Sequence, residues 1–140
     1  MRVSLARTLG LAVQHLLHPA YFSILGALVS HRNRFLHFLD CYAKKDIDGI
    51  SQMLTDDVSL RDWNISVQGR FEVESATQQN FRGAHSIKIE VLHVYESPST
   101  VAGELKIVVD EKIELYVVDV IEFHSDNRIR AIRSYKGRAD

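Results

Sequence analysis

The chain has 140 residues, 46% hydrophobic and 25% charged, enough for one domain with a sizeable core. A formal net charge of −1 gives no field that would gather nucleic acid or an anionic membrane, so neither is expected as a partner. A single cysteine, Cys41, excludes an internal disulfide and suits a reducing, cytoplasmic setting.

No Asp or Glu occurs before Asp40, and the stretch between Arg7 and Arg32 is largely apolar. A charged start ahead of an apolar stretch is the outline of a targeting segment. Gln14, His15, His18 and Pro19 divide it, however, into halves too short to span a bilayer. Residues 1–30 therefore read as an N-terminal extension, partly helical or poorly ordered, without stable membrane insertion. A cleaved targeting segment is the alternative. The pocket domain is expected over residues 31–140.

From His31 the pattern becomes regular. Phe35, Phe38, Leu39 and Tyr42 recur at i, i+3, i+4 and i+7, which predicts a helix with one buried face ending at Lys44-Lys45. Cys41 on this helix reads as a small packed thiol, since no paired His or Asn pattern marks it as a nucleophile. Asp46 is placed to cap a second, short helix whose apolar face is Ile50, Met53 and Leu54, broken at Thr55-Asp56-Asp57. A short strand follows, with Val58, Leu60 and Asp62 on one face. Gly69 opens a connection to a third helix, which carries Val73, Ala76, Thr77, Asn80 and Phe81 and stops at Gly83.

After Ser86 the period changes to two. Strands are predicted at 86–96, 100–109, 112–124 and 128–136, separated by Ser97-Pro98-Ser99, Asp110-Glu111 and Ser125-Asp126-Asn127. Helices first and an antiparallel meander after is an α+β order. Such a sheet, curved around the long first helix, encloses a cavity.

Two carboxylates stand out against this frame. Alternate residues Ile113, Leu115, Val117, Asp119, Ile121 and Phe123 put one acid on an otherwise apolar strand face. A buried carboxylate is paired, protonated or open to a cavity, so Asp119 is either bonded to a backbone group or Arg in the core, or a pocket acid with a raised pKa. Asp62 points where Val58 and Leu60 point, and the two acids together can form a base and a proton donor. His93, on the Ile87, Ile89, Val91 face, is a candidate pocket base or a rim histidine. Trp63 and Phe81 are pocket walls or plain core. His31, His37, His85 and His124 are not spaced as metal ligands, so no metal is expected. No phosphate-cradling glycine loop and no nucleophile elbow occur, and no cofactor is expected.

The run from Tyr42 to Ile50, then Met53 to Val58, resembles the opening of the SnoaL-like and ketosteroid isomerase-like families of the nuclear transport factor 2-like superfamily. The close, Val118 to Phe123 with a turn and Arg128-Ile129, resembles theirs as well. The resemblance implies a cone-shaped, curved antiparallel sheet wrapped around N-terminal helices, a cystatin-like α+β barrel. It places the general base on Asp62 and a protonated, hydrogen-bond-donating carboxyl on Asp119. The position of the oxyanion-binding tyrosine falls on Phe38, which has no hydroxyl, with Tyr42 one turn further along the same face. Phe38, Tyr42, Trp63, Phe81, His93, Val117 and Ile121 are then the expected pocket lining.

The expected activity is cofactor-independent proton transfer, of the isomerase, cyclase or dehydratase kind, on an apolar small molecule bearing a carbonyl or a ring. A non-catalytic pocket for a hydrophobic ligand, or a dimerisation module using only the sheet, is the alternative. On the opposite face of the same strand, Tyr116, Val118 and Val120 form an apolar centre between charged ends, joined by Leu92 and Val94. A homodimer through this outer sheet face is expected.

Overall fold

The computed structural model describes residues 30–138, so the N-terminal extension up to residue 29 lies outside the described residues. Helix α1, His31–Ala43, begins at Ser30, whose Oγ accepts the Asn33 N–H at 3.1 Å. It buries Phe35, Phe38 and Leu39 of the predicted face, together with Cys41, while Tyr42, the fourth residue of that face, is only partly buried. Lys45, at φ 56°, turns the chain out of the helix. Asp46 then caps α2, Ile47–Met53, by accepting the Gly49 N–H at 3.0 Å. Gly49 is required there: a Cβ would collide with the Asp46 carboxylate and lie 2.9 Å from Cys41 Sγ.

Strand β1, Leu54–Arg61, starts directly where α2 ends. Its Val58 is fully buried and Leu60 partly so. A three-residue strand, β2 (Ser66–Gln68), pairs back on it antiparallel. Nothing in the sequence marks β2, because three residues are too few to display alternation. Gly69, at φ 98°, then admits the chain to α3, Arg70–Gly83, with Val73, Thr77 and Phe81 buried.

Strands β3 (Ile87–Glu96), β4 (Thr100–Val109), β5 (Ile113–Phe123) and β6 (Ile129–Lys136) form the meander, each within a residue or so of its predicted range. The six-stranded sheet has the order β2-β1-β6-β5-β4-β3 and is curved but not closed. One pairing is parallel, β1 with β6, which is possible because α3 and the whole meander lie between them in the chain. The hairpin between β4 and β5 turns through Asp110, Glu111 and Lys112, with Asp110 and Glu111 left-handed and the Lys112 N–H donating to the Val109 carbonyl at 3.1 Å.

The core lies between α1 and the concave face. Phe35, fully buried, sits directly on Gly103 of β4. The inner register runs across the sheet as Leu105 opposite Val117, Val101 opposite Ile121, and Gly103 opposite Asp119.

A bulge alters the other edge of this face. Between Val91 and His93 the β3–β4 pairing slips, from Val91 opposite Leu105 to His93 opposite Glu104. Leu92 is the extra residue, and the alternation reverses beyond it. Val94, expected on the outer face, therefore packs against the core, and His93 is exposed.

Candidate functional site

A cavity of about 370 Å³ lies between α1, α3 and the concave sheet. Its walls are largely apolar, with Phe38 and Leu39 from α1, Ile89 and Ile107 from the meander, and Val117 of β5. Exposure grades across it. Asp119 and Phe38 are buried, whereas Trp63, Asn64, Gln79 and Asn80 are exposed, so these four mark the rim.

Both sequence-predicted carboxylates line this one cavity. Asp119 lies at its floor, 8% exposed, on the inner face of β5. The cross-strand neighbours are Gly103 and Ser134, and the Ser134 hydroxyl donates to Oδ1 at 2.6 Å. No guanidinium reaches it among the described residues. The nearby Arg130 and Arg133 bond Glu122, and Arg128 bonds Asp126 at 2.8 Å. Burial therefore dominates: it raises the Asp119 pKa from 3.8 to about 6, opposed only by the Ser134 hydrogen bond.

Asp62 stands just beyond the end of β1, at the less buried side of the cavity. Its Oδ1 accepts the N–H groups of Asn64 and Ile65, at 2.7 and 2.8 Å, closing the turn into β2. The second oxygen, Oδ2, accepts no hydrogen bond among the described residues. One oxygen is thus a fixed anchor, and the other remains available to a ligand proton.

Tyr42 stands on the wall and feels both acids. Burial raises its pKa first, the negative charges of Asp119 and Asp62 add to the rise, and a hydrogen bond from Asn80 opposes it. The group thus remains a neutral phenol at neutral pH.

The sequence pattern of the SnoaL-like domain matches residues 35–132, most of the chain. The protein belongs to the SnoaL-like family. No curated protein matches the chain in sequence. Among solved structures, the SnoaL-like domain is similar to a proposed ketosteroid isomerase from Kribbella flavida, at 13% identity and a TM-score of 0.69 over 79% of each chain. It is also similar to an NTF-2-like protein of unknown function from Burkholderia xenovorans, at 15% identity and a TM-score of 0.68, covering 79% of this chain and 84% of that one. An epoxide hydrolase of the LEH-like type from M. tuberculosis aligns at 18% identity and a TM-score of 0.63, over 74% of this chain and 79% of its own. At these identities the likeness is one of fold.

Not every expected lining residue reaches the cavity of this SnoaL-like domain. Phe38, Tyr42, Trp63 and Val117 do. Phe81 instead packs edge-on against the Tyr42 ring, with centroids 4.9 Å apart, and supports the wall from behind. Ile121 is fully buried one pair further along β5, in the core beside Val101. His93 is removed from the concave face by the bulge at Leu92. Cys41 is buried beside His37, and burial pushes its thiol pKa up, away from nucleophilic character.

The polar lining residues Asn64, Asn80 and Ser134 are absent from the sequence-based expectation. Strand alternation could have found Ser134, because it shares a face with Ile132 and pairs with Asp119. Asn64 carries no signal, since loop amides are ordinary, whereas Asn80 shares the helical spacing of Val73, Thr77 and Phe81. Among the described residues no three His, Cys, Asp or Glu side chains converge as metal ligands. No described helix is long and apolar enough to cross a membrane.

Proposed function

We propose that this SnoaL-like domain is a small, cofactor-independent enzyme that transfers a proton on an apolar molecule bearing a carbonyl or a ring, with Asp62 as base and Asp119 as acid. The observation that supports it is the convergence of two carboxyls of unlike environment on one apolar cavity. Asp62 is partly solvated and anchored by amides, which suits a carboxylate that accepts a proton. Asp119 is desolvated, which favours its protonated form. With a pKa of about 6 it is roughly one-tenth protonated at pH 7, and an apolar ligand that displaces water from the floor raises that share. Abstraction by Asp62 and donation from Asp119 on one substrate amount to an isomerisation, and the same pair serves a cyclisation or a dehydration.

Exchange of α-hydrogens for deuterium in 2-tetralone, a compact apolar ketone, tests this without the natural substrate. The wild-type protein should accelerate exchange over buffer. Asp62→Asn should lower that acceleration by about 100-fold, at the modest end for loss of a general base. Its melting temperature should hold, because the asparagine oxygen still accepts the two amides that close the turn. Undiminished exchange after Asp62→Asn removes the base from this reading. Retained binding with no exchange in the wild type turns the cavity into a ligand-binding site only.

We further propose that the outer sheet face pairs with a second copy of the chain. Val118, 36% exposed, has Glu104 and Tyr135 as outer-face neighbours, and Val120 lies between Ala102 and Arg133. With Tyr116 these make an apolar strip. The Lys106–Glu114 pair at one end and the Arg130, Arg133 and Glu122 cluster at the other supply a rim of both charge signs, which a two-fold partner can match. Light scattering at micromolar concentration should give twice the chain mass, and Val118→Lys should halve it. A monomeric wild type, or a lysine variant that stays dimeric, rules the interface out.

A further inference from the structure

We infer that the cavity takes a second class of ligand, an apolar ring bearing a protonated amine, whose ammonium seats on Asp119 at the floor. This goes beyond the proton-transfer reading and does not rest on it.

The ionisable lining of the cavity offers charge of one sign. Asp62 and Asp119 are its acids, and no Lys, Arg or His is among its lining residues. An anionic ligand would meet two carboxyls and no counter-charge, whereas a cation is matched by both. Each element packed around Asp119 leaves it without a cation. β4 presents Gly103 and β6 presents Ser134, while Arg130 and Arg133 of β6 bond Glu122 instead. From α3 the lining is the neutral Thr77, Gln79 and Asn80, and from β3 it is apolar. Tyr42 and Asp62 are thus the titratable groups that share the cavity with Asp119.

Only one oxygen of this acid is engaged. Ser134 donates to Oδ1 at 2.6 Å, and Oδ2 accepts no hydrogen bond among the described residues, although the residue is 8% exposed. A carboxylate so placed has lost its water without gaining an opposite charge. An ammonium supplies that charge with little further desolvation of the acid, because folding has already removed most of its water. The hydroxyl oxygens of Ser134 and Tyr42 keep lone pairs that can accept the remaining N–H groups. Phe38, Tyr42 and Trp63 add aromatic faces that attract a cation within an otherwise apolar space. A neutral ketone favours the protonated form of Asp119, and the amine favours the ionised one.

Calorimetric titration with 2-aminotetralin, an ammonium at neutral pH on a compact bicyclic ring, reads this contact. In acid, Asp119 must release its proton to receive the ammonium. Affinity should therefore rise about tenfold from about pH 5 to about pH 7 and then level off. At the acid end the measured heat should depend on the buffer, which takes up the released proton. Asp119→Asn, which keeps an oxygen for Ser134, should abolish this pH dependence. It should also weaken binding at neutral pH by at least about tenfold, the least expected for a hydrogen bond to a charged group. An amine bound no more tightly than tetralin, its uncharged parent, overturns the inference. So does an affinity that stays flat with pH, or one that Asp62→Asn lowers and Asp119→Asn does not. None of these results bears on ketone exchange, by which the proton-transfer reading stands or falls separately.

Discussion

Replacing Asp119 with asparagine should stabilise the protein at neutral pH while abolishing its proton-transfer activity. The folded-state pKa of about 6 lies above the ordinary 3.8, so between those values the folded chain holds a proton that the unfolded chain has released. Stability then falls as pH rises through this window. Below about pH 4 the carboxyl is neutral in both states and costs nothing; above about pH 6 the full cost of burying its charge is present. A displacement of that size corresponds to about 3 kcal/mol, reduced by whatever the new amide loses for want of partners. The asparagine side chain retains an oxygen for the Ser134 hydroxyl, so the floor of the cavity is preserved. Thermal melts of the two proteins from pH 4 to pH 8 should coincide at the acid end and diverge steadily, the variant melting roughly 10 °C higher at pH 8. The deuterium exchange of 2-tetralone should run the other way, fading in the wild type above about pH 6 and absent in the variant throughout. A stability difference that does not depend on pH would show that Asp119 is not strained by its burial.

A group that lowers stability where it would act is characteristic of a functional site, and this is where the sequence could be read furthest. Asp119 is visible because β5 alternates without interruption, so one carboxylate among Leu115, Val117, Ile121 and Phe123 could only face the core side. The same regularity places the meander strands to within a residue or so. Irregular backbone defeats the method. A single extra residue at Leu92 reverses the parity of β3, turns His93 outward and sends Val94 inward. Bulges leave no mark in a pattern of alternating residues, because either parity reads plausibly. Alternation assigns Asp62 to a strand face, yet it stands past the strand end, where its placement comes from capping its own turn. The Tyr42–Asn80 contact joins two helices 38 residues apart in sequence, and no local pattern encodes it.

The second large effect concerns Gly103, whose role is also set by a contact remote in sequence. Gly103 pairs with Asp119 across β4 and β5 and has no side chain of its own to offer that neighbour. Its smallness serves Phe35 instead. A Cβ at this position would overlap the end of the Phe35 ring, within 2.7 Å of Cε1. Phe35 is fully buried in the middle of α1, and the new methyl would meet the end of its ring. Gly103→Ala must therefore push the helix off the sheet or force the ring out of its rotamer. The expected loss is about 3 kcal/mol, the upper end of the range for overpacking, even though alanine is otherwise no worse than glycine in a strand. Chemical denaturation should show that loss in the midpoint at an unchanged slope. Phe35→Leu alone should also destabilise, by leaving a cavity. Combined with Gly103→Ala it should recover stability, because the added methyl occupies part of the space the ring vacates. The two changes must then be less harmful together than their sum by more than about 1 kcal/mol, a coupling expected only of residues in contact. Additive losses would mean that helix and sheet do not meet at this point, and that the floor holding Asp119 is supported by something other than α1.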